Sequence, residues 1–123
     1  MNSLSCKLNL PLGPSLRDPS LEADLQARLD DGHRLYVVGD VHGHLATFQA
    51  LLHRLNLGPE DRMVCLGDMI DRGPNSAGLV ALLRDHPQII CLKGNHEQMA
   101  VQSVQMDGSF EAWQPWMKRG GKS

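Results

Sequence analysis

The sequence predicts an α/β fold built on a parallel sheet, and three observations carry that prediction. Short apolar runs occur at 35–38, 63–66 and 89–92. Each is followed at once by a polar motif containing glycine, and each motif by a segment with a helical spacing of apolar residues. The motifs also recur at a near-constant interval: Asp40 and Asp68 are 28 positions apart, Asp68 and Asn95 are 27 apart. One strand–loop–helix–loop unit has about that length. A β-α-β-α-β arrangement follows. Its right-handed crossovers gather the C-terminal strand ends on one edge of the sheet. Ligands of open α/β sheets bind outside that edge, and all three motifs fall there.

Taken in order, residues 1–19 read as a flexible N-terminal arm rich in Pro, Ser and Asn, and residues 20–123 as the domain part. Ser20 is the expected start of a first helix, with Glu22 and Asp24 in its first turn. Leu21, Leu25 and Leu29 give it one apolar face, and Gly32 is its stop. The strand 35–38 leads to a helix over 45–55, where Phe48, Leu51, Leu52 and Leu55 share a face. The strand 63–66 leads to a helix over 76–84, and the strand 89–92 to a helix over 97–106. Ser109 is expected to cap a last short helix through Trp113 that breaks at Pro115, which has no N–H to continue the ladder. Trp113 and Trp116 are expected to cover the sheet.

Composition narrows the function classes. At 123 residues the chain holds one domain at most. A formal net charge of -2 leaves no basic footprint for nucleic acid, and 4% aromatics argue against a base-stacking platform. No apolar run is long enough to span a membrane, and no secretory leader is visible, so the expected location is cytoplasmic. Cys6, Cys65 and Cys91 are odd in number and share no close spacing. Cys65 and Cys91 lie inside predicted strands and are expected as reduced core thiols.

The chemistry sits in Gly39-Asp40-Val41-His42-Gly43, Gly67-Asp68-Met69-Ile70-Asp71-Arg72-Gly73 and Gly94-Asn95-His96-Glu97. Asp40 and His42 are two apart; in extended chain they point to the same side and can meet one cation. Asp68 occupies the matching place one unit on. Neighbouring parallel strands are roughly 4.8 Å apart, so carboxylates at adjacent strand ends repel unless cations lie between them. With two oxygens, Asp68 can bridge two metals. The planar fork of Arg72 suits bidentate phosphate contact. Asn95 offers a hard amide oxygen, and His96 is then free to donate a proton near neutral pH.

Each motif alone has a plainer reading: Asp40 or Asn95 as a helix cap, Asp71 and Arg72 as a surface pair. Three strand ends in register, all supplying such groups to one edge, point instead to a two-metal centre for phosphate esters. The C-terminal Gly121-Lys122-Ser123 is not a P-loop, because Trp116 stands where that motif needs glycine and no strand precedes it.

These motifs resemble the phosphoprotein phosphatase branch of the calcineurin-like metallophosphoesterases, over residues 34–106 and more loosely to the end. Gly94-Asn95-His96-Glu97-Gln98-Met99 looks most like the small bacterial and phage serine/threonine phosphatases, some of dual specificity. The resemblance implies that Asp40 and His42 bind a first metal, Asp68 bridges, and Asn95 binds a second and lies beside substrate. It implies His96 as general acid held by Asp71, with Arg72 clamping the phosphate of a phosphoprotein or phosphopeptide. A metal-bound hydroxide would attack phosphorus in line, with no phosphoenzyme.

The donors are oxygen and nitrogen without thiolate, so manganese is the favoured ion, with iron or zinc as alternatives. Asp71 and Glu97 favour protein phosphatases over the sister family that cleaves diadenosine tetraphosphate symmetrically, which differs at both positions. Two departures stand out. Arg119 precedes Gly120-Gly121 where the family has Asn. No histidine follows His96, although the family draws two further histidine ligands from a second half that completes a two-sheet sandwich. The chain is therefore expected to be the N-terminal part of such a domain. As a non-catalytic alternative, a fragment would bind one metal weakly and self-associate through its open sheet.

Overall fold

A computed structural model describes residues 17–105 and 110–121. The expected arm up to residue 16, Cys6, Met106, Ser109 and the last two residues lie outside the described residues. Three strands, β1 (Leu35–Val38), β2 (Arg62–Cys65) and β3 (Ile89–Cys91), form one parallel sheet in the order β1-β2-β3. Around them run α1 (Pro19–Asp30), α2 (Leu45–Leu55), α3 (Ser76–Asp85), α4 (Asn95–Gln105) and α5 (Phe110–Lys118). The expected β-α-β-α-β order is present.

Register explains where the core lies. Tyr36, Met63 and Ile89 are aligned, as are Val38, Cys65 and Cys91 two residues on, so all six side chains share one face. Met63, Cys65 and Ile89 are buried there with Phe48 of α2, Leu79 and Leu83 of α3, and Met69 from the loop after β2. Val37 points to the other face and is 59% exposed, whereas its register partners Val64 and Ile90 are half-buried. No helix among them is long and apolar enough to cross a membrane.

Local chemistry moves several boundaries from their expected places. Helix α1 begins at Pro19, not at Ser20, because Asp18 caps it: Asp18 Oδ1 accepts from Leu21 N–H at 3.0 Å. Proline is pre-set for the first helical position. Its apolar face is shallower than expected, with no buried residue and Leu29 exposed. The helix is tied down through Arg28, whose Nη1 donates to Glu60 Oε2 at 2.7 Å.

Helix α4 starts at Asn95, two residues earlier than expected. In α5, Pro115 lies inside the helix and does not break it. The next residue, Trp116, anchors this part of the helix to the loop after β2, as described below. Cys91 is exposed and not a core thiol; it ends a three-residue edge strand.

At the opposite end of the sheet from the motifs, Asp61 is a buried carboxylate. It accepts from the backbone N–H groups of Arg34 and Gly58, each at 2.8 Å, and from Arg34 Nη2 at 2.7 Å. The Arg34 backbone N–H first, then the Arg34 guanidinium, hold its pKa at about 2, below the ordinary 3.8. Over that interval the unfolded chain binds the extra proton, so the stabilisation is present above about pH 4 and lost as pH falls toward 2. Asp61→Asn should lower Tm at pH 6 and shrink that Tm gap between pH 4 and pH 2.5, followed by circular dichroism. A gap independent of pH would show that the charge on Asp61 does not stabilise the fold.

Candidate metal centre

The motif loops meet at the C-terminal strand ends, and their backbones are knitted together. His42 N–H donates to the Asp68 carbonyl at 3.0 Å and Gly43 N–H to the Met69 carbonyl at 2.6 Å. Asn75 N–H then donates to the Gly43 carbonyl at 2.9 Å. Such close approach needs glycine: a Cβ on Gly73 would lie 1.8 Å from the His42 carbonyl oxygen. The loops also bend into left-handed backbone at residues that bear side chains, namely Asp40 (φ 44), His42 (φ 47), Asp68 (φ 56), Asp71 (φ 72) and Arg72 (φ 69). Asp tolerates this region better than most residues, yet a cluster of five marks a site whose surroundings over-determine the backbone.

Asp40, His42 and Asp68 each present one ligand atom, and the three atoms lie within 4.8 Å of one another. The expected meeting of Asp40 and His42 is therefore present, but its expected cause is not. The segment is not extended; left-handed backbone at both residues brings their ligand atoms together. His42 Nδ1 is 2.9 Å from the Ile70 carbonyl oxygen. An accepting oxygen places the proton on Nδ1 and leaves the Nε2 lone pair for a cation.

The amide of Asn95 stands 3.0 and 2.8 Å from the two carboxylate oxygens of Asp68. With its nitrogen inward, Asn95 donates to both oxygens. With its oxygen inward, three acceptors converge, an arrangement that only a cation stabilises. Two carboxylates, an imidazole nitrogen and an amide oxygen are a donor set that fits divalent metal ions.

His96 and Asp71 form the second feature. Both are buried, at 3% and 1% exposure, and His96 Nδ1 is 2.8 Å from Asp71 Oδ2. The rings of His96 and His42 meet edge to face, with centroids 4.8 Å apart. His96 N–H also donates to Asp68 Oδ1 at 3.0 Å. Arg72 stands apart from this group. It is exposed, its N–H donates to the Gly120 carbonyl at 3.1 Å, and its Nε donates to the Arg119 carbonyl at 3.4 Å.

Three residues support the site in ways the motifs did not disclose. The Glu97 carboxylate accepts four backbone N–H groups: Asp68 at 2.5 Å and Gly94 at 2.9 Å through Oε1, Met69 at 3.0 Å and Ile70 at 3.3 Å through Oε2. It thereby fixes the loop that carries Asp68. Ser76 Oγ accepts from Asp71 N–H at 3.0 Å. Trp116, expected only to cover the sheet, donates Nε1–H to Asp71 Oδ2 at 2.7 Å. Gly121 closes over the Trp116 ring, where a Cβ would lie 2.6 Å from Cε2. The available signal for Glu97 was its place inside the third motif; none in the sequence pointed to Trp116.

Residues 33–121 match the protein family described as calcineurin-like phosphoesterase. Serine/threonine-protein phosphatase 2 of Escherichia coli (strain K12) is 39% identical over 89 residues, covering 71% of this chain and 38% of that protein. A symmetrical bis(5'-nucleosyl)-tetraphosphatase of Pseudomonas syringae pv. syringae (strain B728a) is 37% identical over 65 residues, covering 51% of this chain and 22% of that protein. A crystal structure of a candidate diadenosine tetraphosphatase superposes with a TM-score of 0.52 at 25% identity, covering 68% of this chain and 36% of that one. The chain thus spans well under half the length of the relatives it matches.

Proposed function

This chain belongs to the calcineurin-like phosphoesterase family, and on that premise we propose that it serves a metal-dependent phosphomonoester hydrolase acting on phosphoserine and phosphothreonine in proteins. One observation carries the reading. The Asp40, His42 and Asp68 donor cluster lies beside a buried imidazole–carboxylate pair, His96 with Asp71. Asp40, His42 through Nε2, and Asp68 would hold one divalent ion; Asp68 and Asn95 would hold a second. Manganese suits these donors, as do iron and zinc. When bound, such ions neutralise charge on the phosphoryl oxygens and acidify water.

The chain's own side chains account for the rest. Asp71 Oδ2 orients the His96 ring and keeps the inner proton on Nδ1. Nε2 is then the nitrogen that passes a proton to the departing alkoxide oxygen. Trp116 and Ser76 hold Asp71 from two further sides, so the pair is set before substrate arrives. Exposed Arg72 has a guanidinium fork able to take two phosphoryl oxygens. Glu97 keeps the Asp68 loop rigid without touching substrate.

The longer match to a serine/threonine phosphatase supports a protein substrate. A second reading, symmetrical cleavage of diadenosine tetraphosphate, is favoured by the structural neighbour. Turnover of a phosphothreonine peptide and of diadenosine tetraphosphate, each with manganese, tests the two. The peptide should be the faster substrate, and a chelator should stop the reaction. Faster cleavage of the dinucleotide overturns the choice of substrate. Metal uptake without turnover of either compound overturns the hydrolase reading.

A further inference from the structure

The strands that deliver the second and third motifs also carry two cysteines in register. Cys65 and Cys91 are Cα partners on adjacent parallel strands, with side chains on the same face. Such strands lie about 4.8 Å apart, within the roughly 4.4–6.8 Å Cα separation that a disulfide spans. The pair is asymmetric: Cys65 is fully buried and Cys91 exposed. Cys91 lines a groove of about 300 Å³ with Met69, Ile70, Leu92 and Glu97, so a small oxidant meets Cys91 first. A hydrogen bond from the Cys65 thiol holds the Cys91 thiol below its ordinary pKa, against the opposing pull of burial and of Glu97. The same bond, with burial, pushes Cys65 up. Thiolate character therefore collects on the accessible partner.

We propose that Cys91 and Cys65 are a peroxide-responsive thiol pair, Cys91 attacking and Cys65 resolving, which closes into a disulfide across the ends of β2 and β3. The Cys91 thiolate displaces hydroxide from hydrogen peroxide and becomes a sulfenic acid. The Cys65 sulfur then attacks the Cys91 sulfur, forming the S–S bond and releasing water. Two thiols and one peroxide give one disulfide and two waters. Closure has a consequence for the metal centre, which rests on the reading above. A relaxed disulfide brings Cβ atoms to about 3.8 Å, closer than aligned positions on neighbouring strands. The strand ends have no slack to give: a Cβ on Gly67 would lie 2.3 Å from Gly94 N. Asp68 follows one of these glycines and Asn95 the other, so closure displaces these two ligands relative to each other. A strained bond of this kind is readily reduced, so the change is reversible by thiols.

The test uses the whole 123-residue chain, metal-free. It is treated with one to two equivalents of hydrogen peroxide, desalted, alkylated and digested with trypsin. The expected product joins the peptides 63–72 and 85–93, and dithiothreitol separates them; Cys6 remains alkylated. Cys91 oxidised to sulfinic acid with Cys65 still free, or cross-links running through Cys6, would overturn the pair. Calorimetry with manganese then compares the oxidised and reduced forms, the oxidised form binding about tenfold more weakly. Equal affinities would overturn the coupling. Failure of the reduced form to bind manganese would overturn the metal centre and leave the thiol pair judged by its cross-link.

Discussion

Replacing His96 by Asn should lower kcat on a phosphoserine or phosphothreonine peptide by about 10²–10⁴-fold in any preparation with measurable turnover. The loss should depend on the leaving group. An alkoxide leaving from serine needs a proton as the P–O bond breaks. A nitrophenolate leaves without one, so 4-nitrophenyl phosphate should lose far less. Asn retains a donor near Asp71 Oδ2, which now receives both the His96 ring and the Trp116 indole. Manganese affinity should change little, because His96 contributes only its backbone N–H to Asp68. Equal losses on both substrates would remove His96 from the role of general acid. A parallel loss of metal affinity would place it among the groups that shape the metal centre.

Asp68→Asn should weaken manganese binding by more than about a hundredfold, a larger effect than removing an outer-shell partner. The same change should leave the metal-free fold as stable as before, or raise its Tm. Asp68 and Asp40 bring like-charged oxygens within 4.8 Å of one another, together with His42, and removing one charge relieves their repulsion. The amide keeps the shape of the carboxylate and an oxygen for the His96 N–H. Calorimetric titration and thermal melting of the same samples read the two effects. Unchanged affinity would show that Asp68 is not shared between cations.

The strands and their helices were legible because their signals are local. Apolar runs and helical spacing place β1 and α2 at their observed bounds, and β2 within one residue. The two-residue spacing of Asp40 and His42 identified a juxtaposition for the wrong reason. Alternation applies to extended chain, whereas these residues are turned by contacts to a loop 26 to 28 positions away, His42 N–H to Asp68 among them. The Trp116–Asp71 bond joins residues 45 apart, and no periodicity encodes it. It lies next to Pro115, where the expected helix break is absent. Glu97 stood inside a motif, but its four backbone partners appear only once two loops have been folded over it. Cys91 was misplaced because a three-residue edge strand cannot be covered along its whole length.

The left-handed backbone at Asp40, His42 and Asp68 sets evolvability against robustness. These residues hold the donor cluster and, for the metal-free chain, also occupy conformations that glycine would adopt more easily. Glycine at any of them would relax the backbone and remove a ligand in the same step. Homologues of this fold that have lost their chemistry should therefore drift toward glycine, or toward Asn, at these places first. The pattern of decay would then serve as a signature separating retired copies from working ones.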